Sequence, residues 1–302
     1  MRFLVPGLTL LLVLTASAAQ YQKPFGQLQD EQKFKDYTVR IYRNENHPPD
    51  NDTNEDDQDG IGCFEILRSG RQVFFEKGDI FKVGSSIEDD QFYHNPVKIG
   101  QSILGDKQPN LIVSDLDGGN NSLCDYYVFQ IADTFKFKAK IQDSGGGEFK
   151  DLRGDGVFDL ITYDELTFDY WHCCGADSQH PPVILGYRNG RYLPDLEQMK
   201  KPAPSKQELK KMAAGFRSEF PAAPKNDDDD KWTAPPKLWG KMLDLIYSGN
   251  MASAKILCDL SWPGNLSGKD LFWKDFNEQL QTSPYYHDIK KASFQSVPAT
   301  RN

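Results

Sequence analysis

Nine residues, Asp151-Leu152-Arg153-Gly154-Asp155-Gly156-Val157-Phe158-Asp159, place carboxylates at the first, fifth and ninth positions of a segment that also holds two glycines. Oxygens alternating along a tight loop converge on one centre, which is how a hard cation such as calcium is held. On that logic Asp151, Asp155 and Asp159, with the carbonyl of Val157, form a candidate calcium loop. The third position is Arg153, whose fixed positive charge stands where a further ligand belongs. The competing reading is a rigid corner, in which the Asp side chains cap their own turn and glycine supplies a positive φ.

Trp171-His172-Cys173-Cys174 brings together imidazole and thiolate, soft ligands for zinc or copper. Its spacing matches no closed tetrahedral site, so a strand of mixed burial is the expectation. Cys174 and His180 lie near each other in sequence, but a nucleophile also needs a positioned base and an oxyanion site, and no motif announces them. Asp115-Leu116-Asp117-Gly118-Gly119-Asn120-Asn121 suits a wide turn closed by Asx hydrogen bonds. Asp164, Glu165 and Asp169 add carboxylates that could serve acid and base work on a glycoside. No Gly-x-Ser-x-Gly elbow, His-Glu-x-x-His helix or phosphate-cradling glycine loop is present. A non-catalytic binding or structural protein is therefore favoured. The alternative is a secreted hydrolase with a carboxylate-lined site built on Asp115, Asp164 and Asp169.

The elements that must position these residues fall into two kinds. Between residues 61 and 200, short apolar runs alternate with turn residues, the signature of antiparallel strands. Candidate hairpins turn at Ser69-Gly70, at Ala132-Asp133 and at Asn189-Gly190, the last being the strongest short hairpin signal available. Within 201–236, Ser205 and Glu208 form a capping box that starts a helix running to about Phe220, and the Pro- and Asp-rich stretch after it reads as a linker. Within 237–295, Leu238, Met242 and Ile246, then Ala254 and Leu257, then Phe272, Phe276 and Leu280 recur at helical spacing. The expected class is α+β, with an antiparallel β-rich, partial propeller-like domain followed by a small C-terminal helical domain docked onto it.

Asn110-Leu111-Ile112 and Asp159-Leu160-Ile161 lie 49 residues apart, each preceded by a Gly-Asp pair. A period near 50 with a loop leading into a strand is what a propeller blade gives. These loops resemble the FG-GAP or VCBS-type repeats of extracellular propeller proteins, whose loops read Asp-x-Asp-Gly-Asp-Gly-x-x-Asp before a strand. More narrowly, Asn110–Gly119 with Cys124 and Phe129, then Asp151–Asp159, then Pro182-Val183-Ile184-Leu185 with Tyr187, look like an uncharacterised group of exported bacterial proteins. The resemblance spans roughly 60 to 290 and implies a fold and an address. It carries the calcium role onto Asp151, Asp155 and Asp159 and departs at Arg153.

Phe3 to Leu14 is an almost unbroken apolar run after Arg2, ending in Thr15-Ala16-Ser17-Ala18-Ala19. That is the pattern of a signal peptide over residues 1–19, cleaved after Ala18 or Ala19, and it is too short for a membrane anchor. Export to a periplasm or to the exterior follows, with no membrane insertion after cleavage. Residues 20–60 read as an extension containing an acidic loop, Asp50 to Asp59. A net charge of −9 argues against nucleic acid as a partner, leaving a protein or saccharide. Five cysteines leave at least one unpaired, and the expected disulfide joins Cys124 to Cys173 or Cys174.

Overall fold

The computed structural model describes residues 21–44, 62–84, 97–116, 123–220 and 234–295. The expected signal peptide, the two acidic clusters and Asp117 to Asn121 lie outside the described residues.

Among the described residues, twelve strands form three four-stranded antiparallel sheets, each a meander in chain order. The first holds β1 (Gln27–Phe34), β2 (Tyr37–Arg43), β3 (Gly62–Arg68) and β4 (Arg71–Gly78). The second holds β5 (Ile80–Val83), β6 (Asn110–Leu116), β7 (Cys124–Ile131) and β8 (Phe135–Ser144). The third holds β9 (Glu148–Lys150), β10 (Asp159–Tyr163), β11 (Pro182–Arg188) and β12 (Arg191–Pro194). At Asn189-Gly190, φ is +52° and +80°, as a two-residue hairpin turn requires. The class is α+β and antiparallel β-rich, and among the described residues the sheets do not close into a ring.

The second sheet explains its own sequence. Leu111-Ile112-Val113 and Tyr126-Tyr127-Val128-Phe129 are continuous apolar runs because both faces are covered. Leu111, Val113, Tyr127 and Phe129 pack with Val39, Ile41, Phe64 and Ile66 of the first sheet. Ile112, Tyr126 and Val128 point the other way, into a core shared with the third sheet and the helices.

Six helices follow: α1 (Leu196–Met199), α2 (Lys206–Arg217), α3 (Pro236–Tyr247), α4 (Met251–Ser261), α5 (Lys269–Leu280) and α6 (Tyr286–Gln295). The capping box opens α2, with Glu208 N 3.2 Å from Ser205 Oγ and Ser205 N 2.7 Å from Glu208 Oε2. Pro236 starts α3 where its missing N–H costs nothing. Gly249, at φ +83°, ends the helix and turns the chain into α4. Among the described residues, no helix is long and apolar enough to cross a membrane.

Candidate functional site

The loop between β9 and β10 is closed by its own acids. Asp151 accepts hydrogen bonds from the backbone N–H groups of Gly154 (2.7 Å), Asp155 (3.1 Å) and Gly156 (2.9 Å), which hold its carboxyl below the usual range. Asp155 accepts from Val157 N at 2.9 Å. Gly154 and Gly156 supply φ of +70° and +81°. Asp159, fully buried at the start of β10, accepts from Arg153 Nη2 at 2.7 Å. Arg153 also donates to Asp195 and lies 3.4 Å from Asp155. Arg188 adds a second guanidinium 2.7 Å from Asp195, which is the N-cap of α1. The positive centre among these carboxylates is thus the guanidinium of the chain's own Arg153. Burial alone would raise Asp195, but Arg188 and Arg153 outweigh it and hold it low. Asp159 is raised, because burial outweighs its bond to Arg153. No group of three or more His, Cys, Asp or Glu side chains among the described residues has the geometry to hold a metal.

The earlier copy of this loop meets it directly. Gly105 N donates to Gly156 O and Phe158 N to Ile103 O, joining the two loops through a bridge at Leu104 and Val157. Asn110 begins β6 as Asp159 begins β10, and its Oδ1 accepts from Ile103 N at 2.9 Å.

The three carboxylates of the hydrolase alternative sit in separate networks. Asp115 accepts from Asp79 N at 2.9 Å, tying the second sheet to the end of the first, and burial pushes its carboxyl up to about 7. Asp164 is buried and accepts from Thr167, from Tyr247 on α3 and from Ser283 between α5 and α6. Asp169 accepts from Ser178 at 3.0 Å.

Two expectations fail. Trp171 to Cys174 is not a strand, because Tyr170 and His172 take φ of +50° and +52°, and left-handed residues at alternate positions coil the chain. All five cysteines are free, so the expected Cys124 pairing is not formed. Cys124 is buried in the second sheet, whereas Cys174 is exposed with its Sγ 3.4 Å from Asp177. His180 faces Glu165, not the thiol, at 2.5 Å, and that partner raises the imidazole above its ordinary value.

Two hollows of similar size are present among the described residues: one of about 600 Å³ lined by residues of β1, β2 and β5 such as Asp30, Arg43 and Lys82, and a more apolar one in the helical part. Helices α2 and α3 both pack on α4 and line a common hollow. Glu208, Lys211, Met212, Gly215 and Phe216 recur at three- and four-residue steps on α2, with Glu219 just past its end, and Lys241, Asp244 and Leu245 do so on α3, with Ser248 as its C-cap. With Lys201, Pro202 and Pro204 at one end they enclose a groove of about 590 Å³. A second hollow of about 280 Å³ shares Phe216, Lys241 and Asp244 and extends the groove past Lys237 and Gly240 to His180. Gly240 lets this wall close, since a Cβ there would fall 1.9 Å from Gln179 Oε1. The sequence reading named no groove here and docked the helical part as a whole onto the β region. The usable signal was the double apolar stripe of α2: Leu209 and Ala213 are buried, leaving Met212 and Phe216 half-covered.

Comparison of the chain with protein-family models, with curated proteins and with solved structures finds no match.

Proposed function

We propose that this is an exported, non-catalytic binding protein whose working surface is the groove between α2 and α3. The observation that carries this reading is that α2 and α3, both packed on α4, line a hollow of about 590 Å³ with Pro202, Pro204, Met212, Phe216 and Leu245. Trp239, Phe272 and Phe276 of the helical part are fully buried, while Ile256 on α4 and Leu271 on α5 stand exposed singly. A concave, largely apolar site with a few polar groups at its rim is the usual form of a binding site. Residues 1–19 support export, and the three consecutive meanders support a partial propeller-like scaffold. The Asp151–Asp159 loop serves in this reading as a structural corner with Arg153 as its internal cation.

The test places a photo-crosslinking amino acid at Glu219, on the groove rim, and separately at Lys274, which is exposed on α5. In the compartment that receives the mature protein, the account predicts a discrete adduct from position 219 and none from position 274. Equal adducts from both positions would contradict it.

A further inference from the structure

The five cysteines are of two kinds. Cys63 in β3, Cys124 in β7 and Cys258 in α4 are fully buried, and burial pushes the thiols of Cys124 and Cys258 up to about 12, where almost no reactive thiolate forms. Cys173 is half-covered and Cys174 is exposed. On a strand these neighbours would point to opposite faces and could not meet. Here the left-handed φ of Tyr170 and His172 coils the chain, and both sulfurs face one short turn. Cys174 Sγ lies 3.4 Å from Asp177 Oδ2, and Cys173 Sγ is hydrogen-bonded by the side chain of Ser178, the next residue along. The loop is pinned on both sides of the pair. The Trp171 ring packs 5.0 Å from Phe168 and 5.2 Å from Trp239, centroid to centroid. Tyr170 folds over Gly175, where a Cβ would fall 2.8 Å from its ring.

We propose that Cys173 and Cys174 form a reversible disulfide with each other, closing a ring through their shared peptide bond, and that this pair is the molecule's site of thiol–disulfide exchange. The Cys174 thiolate attacks one sulfur of an external disulfide, forming a mixed disulfide and releasing the other half as a thiolate. Cys173 gives its proton to solvent, and its thiolate attacks Cys174 Sγ and releases the second half. The two protein thiols lose two electrons, and the external disulfide becomes two thiols. The order follows from access. Cys174 is open, whereas burial, with the charge of Asp177, raises the Cys173 thiol against the bond from Ser178. Consecutive Cα atoms stand about 3.8 Å apart, below the separation of about 4.4 Å at which ordinary disulfides begin, so the ring opens readily. The export predicted from residues 1–19 would bring the pair into a compartment that holds such disulfides.

The test incubates the reduced protein with oxidised glutathione, alkylates it without denaturant, digests it with trypsin and weighs the peptides. Cleavage after Arg153 and Arg188 isolates Cys173 and Cys174 on one peptide that holds no other cysteine. This peptide is expected to become lighter by two hydrogens and to take no alkyl group, and excess reduced glutathione is expected to restore both thiols while the protein stays folded. Cys173→Ser removes the resolving thiol, so glutathione is expected to remain on Cys174. Cys174→Ser removes the attacking thiol and is expected to slow the reaction at this peptide by about tenfold or more. Melting temperatures equal to that of the wild type show that both variants keep the fold. A wild-type peptide that stays reduced, that retains glutathione, or that is joined to a second copy through Cys174 would overturn the proposal, and the wild-type result stands whether or not either variant folds.

Discussion

Arg153 carries the clearest residue-level argument. A loop with acids at Asp151, Asp155 and Asp159 would suit a cation, and the chain supplies one covalently. Removing the guanidinium leaves buried Asp159 facing no partner and Asp195 with Arg188 alone. Breaking a fully buried pair costs about 3–5 kcal/mol. Arg153 is 30% exposed, which lowers the expected loss for Arg153→Ala to about 2–3 kcal/mol in urea denaturation. An unchanged midpoint would mean that the carboxylates are satisfied without it. Asp115 makes a separate prediction. Its folded pKa of about 7 exceeds its ordinary 3.8, so the fold binds this proton more tightly than the unfolded chain does. The resulting stability is full below about pH 4 and is lost as pH rises through about 7. Burial drives the shift; the hydrogen bond from Asp79 N opposes it most, the charges of Asp79 and Asp125 reinforce it, and Lys140 opposes it. Asp115→Asn, which keeps the acceptor for Asp79 N, is expected to be more stable than the wild type at pH 8 by about 1–3 kcal/mol and to gain nothing at pH 4. Equal differences at both values would contradict this. The acids of the loop were legible in the sequence because they are local. Asp195 was not, since it reaches Arg153 from across the third sheet.

At the scale of elements, Asp164 is the joint between strands and helices. It follows β10, and its oxygens receive Tyr247 from α3 and Ser283 from between α5 and α6. Gln279 of α5 also reaches the carbonyl of Thr167. Burial and the nearby Asp164 charge push the Tyr247 phenol well above its ordinary value, so it remains a donor. Tyr247→Phe keeps the packing and removes one hydrogen bond to a carboxylate, an expected loss of about 1.5–3 kcal/mol by thermal or urea unfolding. A change within error would show that Ser283 and Thr167 suffice. The hairpins and helix starts were readable because turns and caps are written in neighbouring residues: Asn189-Gly190, Ser205 with Glu208, Pro236, Gly249. The first sheet begins earlier than the β-rich pattern suggested. In β1 only Leu28 and Phe34 are large and apolar, as befits a polar edge strand, so its run gave no signal. In β2, by contrast, Tyr37, Val39 and Ile41 alternate as buried residues and were available to be read.

Across the whole molecule, three meanders stack so that the middle sheet is buried on both faces, and the helices cap the third. Among the described residues that scaffold leaves an apolar-floored hollow in the helical part, between α2 and α3. The groove could not be read from sequence, because which half of an amphipathic stripe stays open depends on how α2 and α3 settle on α4. The most direct test of its role is amide hydrogen exchange of the protein, alone and in the complex purified after crosslinking through position 219. The account predicts added protection confined to the segments lining the groove, 201–219 and 237–250. Protection mapping to the Asp151–Asp159 loop or to the sheets, with none along α2 and α3, would contradict it.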